Sequence, residues 1–298
     1  MSGSRSPSHA VCRHVALVLG LLGANAVHAT TYMVGTGAGC THTTLQAAVS
    51  AAQASPPGAD LIRVTTATYS QQAVTVSATQ ELDIVGGFAS CDVDTPTPNS
   101  RAILDGSGGG ASPVMRIVVS TGGIVRLRNL TIRRGDPAGA GEGGGIYFEG
   151  NGVLFVQDTT IANSVAGYGA GVYARGTGDA ALLEFGANVT VSGNTARLSG
   201  GGVYVDQVKF YMTTAGSGVF LNEALGEGSG GFGGGLVVLS RVRDSYAFIG
   251  TGMGSTGAIF NNKARFGGGV ALVGDGPTGT LAQLYVHSPV LGTPARIR

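Results

Sequence analysis

The sequence predicts an all-β chain wound as a single right-handed parallel β-helix with a short N-terminal capping helix. Three observations carry that expectation. Five glycine-rich cassettes recur along the second half, each running into a short aliphatic strand: Gly143-Gly144-Gly145-Ile146-Tyr147, Gly169-Ala170-Gly171-Val172-Tyr173, Gly200-Gly201-Gly202-Val203-Tyr204, Gly233-Gly234-Gly235-Leu236-Val237 and Gly267-Gly268-Gly269-Val270-Ala271. Their first glycines stand 26, 31, 33 and 34 residues apart, a period that marks repeat architectures whose units bury their apolar faces only against neighbouring units. No helical pattern separates one cassette from the next, so strands and turns must close each coil. A leucine-rich horseshoe would need an L-x-x-L-x-L consensus, which is missing. Propeller blades carry aromatic motifs, and the chain has no Trp. Stacked strands rise about 4.8 Å per coil, so eight or nine coils make a rod roughly 40 Å long.

Taken in chain order, residues 1–29 read as a signal peptide. Arg5 and Arg13 supply positive charge, VALVLGLLG (15–23) is the apolar run, and Val27-His28-Ala29 places small residues at the cleavage positions. The apolar run is too short to cross a bilayer, and no later stretch is long enough. Residues 30–298 are then one β-helix domain, with a cap over 30–60, coils over 61–290 and a tail over 291–298. Thr43-Thr-Leu-Gln-Ala-Ala-Val-Ser-Ala-Ala-Gln-Ala54 places Leu45, Ala48, Val49 and Ala52 at helical spacing, with Thr43 or Thr44 as cap and Pro56-Pro57-Gly58 as stop. The segments 61–69, 73–77, 81–88, 114–119 and 124–132 are rich in Val and Ile and read as strands, and 89–101 as an irregular loop.

Alternation along each cassette strand sorts its residues into two rows. Ile146 and Phe148, Val172 and Ala174, Val203 and Val205, Leu236 and Val238, and Val270 and Leu272 form an aliphatic interior. Tyr147, Tyr173 and Tyr204 fall on the other face, where the rings are expected to stack on consecutive coils, either as a stabilising stack covered by a loop or as an exposed row, a platform for sugar rings. Ahead of most cassettes comes an aliphatic residue, two spacers, Asn, one spacer and Ala: Val191 with Asn194 and Ala196, Val219 with Asn222 and Ala224, Ile259 with Asn262 and Ala264, and a looser copy at Asn163 and Ala166. Asn tolerates the left-handed conformation at tight turns, and stacked copies would form an amide ladder.

The glycine cassettes and the preceding aliphatic-x-x-Asn-x-Ala elements resemble the repeats of the polymorphic outer membrane proteins and related bacterial β-helix proteins. In that family the aliphatic position usually holds Phe, whereas Phe220 and Phe260 here are displaced by one. The resemblance spans about residues 140–275. At the front, the amphipathic helix followed by IRV…TY resembles the cap of pectin-lyase-like β-helices. The resemblance implies the β-helix coil and an adhesin-like role at a cell surface. Autotransported members end in an outer-membrane barrel, a pattern not seen after the strand-like stretch TLAQLYVH (280–287).

Composition narrows the chemistry. Without the leader, 16 basic residues stand against 17 acidic ones, and only 12% of the chain is charged, so nothing draws it to nucleic acid or anionic lipid. Cys40 and Cys91 are the two cysteines after residue 29, and an even count in an oxidising compartment predicts a disulfide. His42 and His287 offer no ligand pair by spacing, so no metal and no cofactor is expected; Asp92 and Asp94 read as a solvated loop pair. Arg126 and Arg128, with Arg133 and Arg134 nearby, form the densest basic patch; opposite Val125 and Leu127 they read as the solvent face of a half-buried strand, and as a functional site they are candidates for binding an acidic glycan. The acidic residues, among them Asp158, Asp179, Glu184 and Asp206, share no cassette position, so neither a paired-carboxylate glycosidase site nor a lyase site is expected.

These features predict an exported, extracellular, periplasmic or outer-membrane-associated protein that binds a surface glycan or protein without catalysis. The alternative is a polysaccharide lyase or glycoside hydrolase on the pectin-lyase-like fold. A groove holding two or more carboxylates with Arg would favour the enzyme. A smooth wall would favour binding.

Overall fold

A strand buries alternate residues, and a parallel neighbour in register repeats that choice one coil higher. The computed structural model describes residues 30–228, 230–250, 258–275 and 280–286; the predicted leader and tail lie outside them. Among the described residues every strand pairing is parallel, in sheets of nine, seven, seven and four strands. The chain visits the sheets in turn. Ile146–Gly150 belongs to the cassette sheet, Val153–Gln157 to the nine-stranded sheet, Thr160–Ala162 to the second seven-stranded sheet and Val165–Tyr168 to the four-stranded sheet. Val172–Gly176 then returns beside Ile146–Gly150, with Ile146 opposite Val172 and Tyr147 opposite Tyr173. This is the parallel β-helix the repeats predict. Nine strands at ~4.8 Å set a rod about 40 Å long.

The first glycine of every cassette lies in the left-handed region, with φ between 56° and 73° at Gly143, Gly169, Gly200, Gly233 and Gly267, a corner that L side chains resist. The third glycine answers a different need. A Cβ on Gly202 would fall 2.6 Å from the Gly235 carbonyl oxygen, so successive corners nest backbone on backbone. The aliphatics that follow form one dry column: Ile146, Phe148, Val172, Ala174, Val203, Val205, Leu236 and Val238 are fully buried. Val270 packs against this column, whereas Leu272 is half-exposed. Its strand, Val270–Gly274, is the edge of the cassette sheet, with a neighbour on one side only.

The amide ladder is present. Asn194 Nδ2 donates to Asn222 Oδ1 and Asn222 Nδ2 to Asn262 Oδ1, both at 3.0 Å. Each of these amides also donates to a backbone carbonyl of the preceding coil. The ladder asparagines are not the left-handed residues. That conformation belongs to the preceding position, at Asn163, Gly193, Leu221 and Asn261, which places Ser164 rather than Asn163 in register with the ladder, its N–H donating to Asn194 Oδ1.

At the front, helix Leu45–Ala54 buries Leu45, Ala48, Val49 and Ala52, and the Thr44 hydroxyl accepts from the Ala47 N–H. Its outer side guards a sheet edge. Gln46 accepts from the Thr75 N–H and donates to the Thr75 carbonyl, and Gln53 donates to the Ser77 carbonyl, satisfying groups on Val74–Ala78 that would otherwise invite another strand. Cys40 and Cys91 form a disulfide across 51 residues; a closure of that length stabilises by about 4 kcal/mol in the chain-entropy account. No described helix is long and apolar enough to cross a membrane.

Candidate functional site

Residues at the second and fourth positions of each cassette strand point away from the column. By register the second-position row runs Arg116, Tyr147, Tyr173, Tyr204, and the fourth-position row runs Glu149, Arg175, Asp206, Leu239. The tyrosines do stack, with ring centroids 5.6 and 5.4 Å apart and planes within 14° and 19°. The Arg116 guanidinium lies 4.2 Å from the Tyr147 centroid and closes one end, a cation–π contact.

Of the two readings of this row, the structure gives the covered stack and not the open platform. The three tyrosines keep only 3–7% of their surface exposed, because segments of the four-stranded sheet and the turns beside it fold over them. Tyr168 packs edge-on against Tyr204 at 5.6 Å, and Phe232 joins the same cluster. The ring faces are spent on one another. Burial, the Glu149 hydrogen bond and nearby carboxylates push the Tyr147 phenol up to about 12, and burial first and carboxylates second push Tyr173 and Tyr204 higher still.

The charged groups of this face are layered. The Tyr147 hydroxyl donates to Glu149 at 2.9 Å, and Arg116 approaches the same carboxylate at 3.5 Å. Asp206 is 0% exposed, and among the described residues neither of its carboxyl oxygens has a hydrogen-bond partner. Its nearest cation is Arg241, with Nη1 3.7 Å from Oδ2, an ion-pair distance beyond a hydrogen bond. Burial raises the Asp206 carboxyl above the ordinary carboxylate value, with Arg241 first, then the side-chain amide of Gln207 and then Arg175 opposing. Glu149 and Asp206 therefore lie low while guanidiniums stand proud, and the exposed carboxylate of this face is Asp275 beside Arg241. Arg116 and Arg241 expose 46% and 47% of their side chains against 27% for Glu149, and Arg175 is exposed. Arg241 borders a cleft of about 200 Å³ walled by Tyr168, Tyr204, Phe232 and Leu239, with Asp275 at its rim.

Solved structures similar to this chain include YbhC of Escherichia coli, at 15% identity and a TM-score of 0.41, covering 97% of this chain and 90% of that one. The pectin methylesterase from Aspergillus niger is similar in its penultimately deglycosylated form, at 14% and 0.38, and in its deglycosylated form, at 13% and 0.36, each over 89% of this chain and 91% of that one. No protein-family model matches, and no curated protein matches. The parallel β-helix rests on the chain's own strand pairing.

Arg126 and Arg128 lie elsewhere, on the outer face of the nine-stranded sheet. Arg126 contacts Glu81 at 3.0 Å and Asp83 at 3.5 Å, and Arg128 contacts Asp83 at 2.6 Å, so two carboxylates balance their charge. Asp94 pairs with Arg63 at 2.7 Å. Among the described residues no three His, Cys, Asp or Glu side chains gather around one point.

One expectation is overturned. Acidic residues do share a cassette position: Glu149 and Asp206 both occupy the fourth, with Arg175 between them. Counting four residues from the last cassette glycine finds all three. Arg241 lies past the end of Leu236–Ser240 and outside any repeat, so no sequence period points to it.

Proposed function

We propose that this is an exported β-helix interaction protein, adhesin-like in its action, that holds an acidic glycan along the outer face of the cassette sheet without cleaving it. The observation that supports this best is the layering of charge: exposed guanidiniums of Arg116, Arg175 and Arg241 above carboxylates drawn beneath them. An approaching polyanion meets cations first, and Arg binds carboxylates in a planar, two-bonded mode. Tyr147, Tyr173 and Tyr204 serve as a buried floor beneath these cations. The leader pattern and the disulfide support a location outside the cytoplasm. The site lies within a single chain and draws on no cofactor.

A second reading, a carbohydrate-active enzyme, draws support from Asp206, a buried carboxyl with raised proton affinity beside an arginine. One experiment separates the two. Retention of the full chain on immobilised uronic-acid polymer is measured by affinity electrophoresis, while the same polymer is assayed for new reducing or unsaturated ends. The expected result is retention that weakens with salt, falls at least tenfold in the triple variant Arg116→Gln, Arg175→Gln, Arg241→Gln, and releases no sugar. Release of sugar by the wild type would establish the enzyme, and undiminished retention by the triple variant would remove this face from the account.

A further inference from the structure

Resting on the acidic-glycan reading, we infer that the cleft beside Arg241 is a subsite for one carboxylated sugar ring, and that Asp206 is an internal counter-ion which takes up a proton when the ligand draws Arg241 away.

The cleft has the dimensions and lining for this. Its volume of about 200 Å³ falls below the roughly 300 Å³ at which drug-sized pockets begin, so it suits a single ring. Tyr168, Phe232 and Leu239 offer apolar walls, and Arg241 is the cation at the mouth.

The coupling follows from what surrounds Asp206. On its own strand stands Tyr204, and Gln207 follows directly after the strand. Across the register on Val172–Gly176 lie Arg175 and, one row over, Tyr173. On the other side Leu239 contributes no charge. Arg241 approaches from beyond that strand, and Asp275 faces Arg241 rather than Asp206. Glu149 is two strands away, and Glu142 acts on Tyr173. The two phenols are driven toward their neutral forms, and of the remaining neighbours the Gln207 amide and the exposed Arg175 also favour the ionised carboxylate, each less than Arg241 does. A carboxylate with no hydrogen bond and no exposure is costly to keep ionised. Its 3.7 Å contact to Arg241 is loose enough to yield to a ligand carboxylate that offers two hydrogen bonds. Once Arg241 turns to the ligand, Asp206 regains neutrality by binding a proton from the solvent buffer.

Calorimetric titration of the full chain tests this. The probes are a hexameric oligouronate and its carboxyl-reduced, neutral counterpart, each run from pH 5 to 8 in two buffers of different ionisation enthalpy. Wild type is expected to bind the charged hexamer more tightly as pH falls, by up to about tenfold per pH unit, with uptake approaching one proton. Asp206→Asn should bind independently of pH and take up no proton. Arg241→Gln should lose at least tenfold on the charged hexamer and nothing on the neutral one. Proton uptake is read on the wild type and does not depend on either variant folding. Binding without proton uptake, on a pH profile shared with Asp206→Asn, would overturn the inference and leave the acidic-glycan reading standing. No binding of the charged hexamer at any pH would overturn both.

Discussion

Asp105 and Asp206 each end a strand of the coil, Ala102–Asp105 and Val203–Asp206, and are exposed by 1% and 0%. Their surroundings differ completely. Asp105 accepts from Arg133 Nε at 2.9 Å, from Arg134 Nε at 3.0 Å and from Arg134 Nη2, and its Oδ1 also accepts the Ser107 N–H at 3.0 Å. Among the described residues Asp206 accepts no hydrogen bond. Burial acts to raise both carboxyls. At Asp105 the hydrogen bonds of Arg134, Ser107 and Arg133 outweigh it and hold the group far below the usual carboxylate range, whereas at Asp206 burial prevails. The cause lies in what the next coil supplies. Register sets Arg133 against Asp105 but Leu239 against Asp206. A stacked coil completes a buried charge when the same row of the next turn carries its opposite. Asp206 has Arg175 on the preceding turn, exposed, and a loop arginine above. The first arrangement secures structure; the second leaves a carboxyl whose state depends on where Arg241 points.

The largest expected effect comes from breaking the satisfied member. Asp105→Asn sets amide donors against two guanidiniums and should cost about 3 kcal/mol in urea unfolding at pH 7. The acid side of the profile sharpens this. A carboxyl whose folded value lies below its unfolded value of about 3.9 contributes stability that is present above the unfolded value and lost as pH falls toward the folded one. Wild type should therefore lose ground to Asp105→Asn as pH drops from 4 to 2. A variant within 0.5 kcal/mol of wild type at pH 7 would mean that Asp105 is no better served than Asp206.

Comparison of the two aspartates also shows how far the amino-acid sequence could be read. The coil was legible because its causes are local: a left-handed glycine at each corner, aliphatics two apart, and an asparagine two residues before an alanine. The row of Glu149, Arg175 and Asp206 was equally legible, since a parallel sheet preserves position within the cassette. The burial of Tyr147, Tyr173 and Tyr204 was not. It depends on Tyr168, at the end of Val165–Tyr168, and on Phe232, each followed or preceded by segments whose lengths vary between coils, and a period cannot report what an irregular segment covers. The pairing of Arg126 and Arg128 was hidden for a related reason. Their carboxylates, Glu81 and Asp83, lie 45 residues away, in front coils without a glycine marker to align them.

The smaller test falls on Asp206 and has the opposite sign. Its folded carboxyl lies above its unfolded value, so the ionised group opposes folding at any pH above the folded value. That penalty fades as pH falls through the folded value toward about 3.9. Asp206→Asn keeps the shape and removes the charge, and at pH 8 it should be more stable than wild type by about 1 kcal/mol, because Arg241 at 3.7 Å only partly compensates the buried carboxylate. The advantage should shrink as pH falls through the folded value toward about 3.9. Arg241→Gln supplies the complement. With Asp206 present it removes the nearest cation and should cost up to about 1 kcal/mol at pH 8, discounted because half of that side chain lies in water. In the Asp206→Asn background the same change should cost almost nothing. Equal costs of Arg241→Gln in both backgrounds would mean that the arginine and the buried carboxyl do not sense one another, and the contrast with Asp105 would then reduce to burial alone.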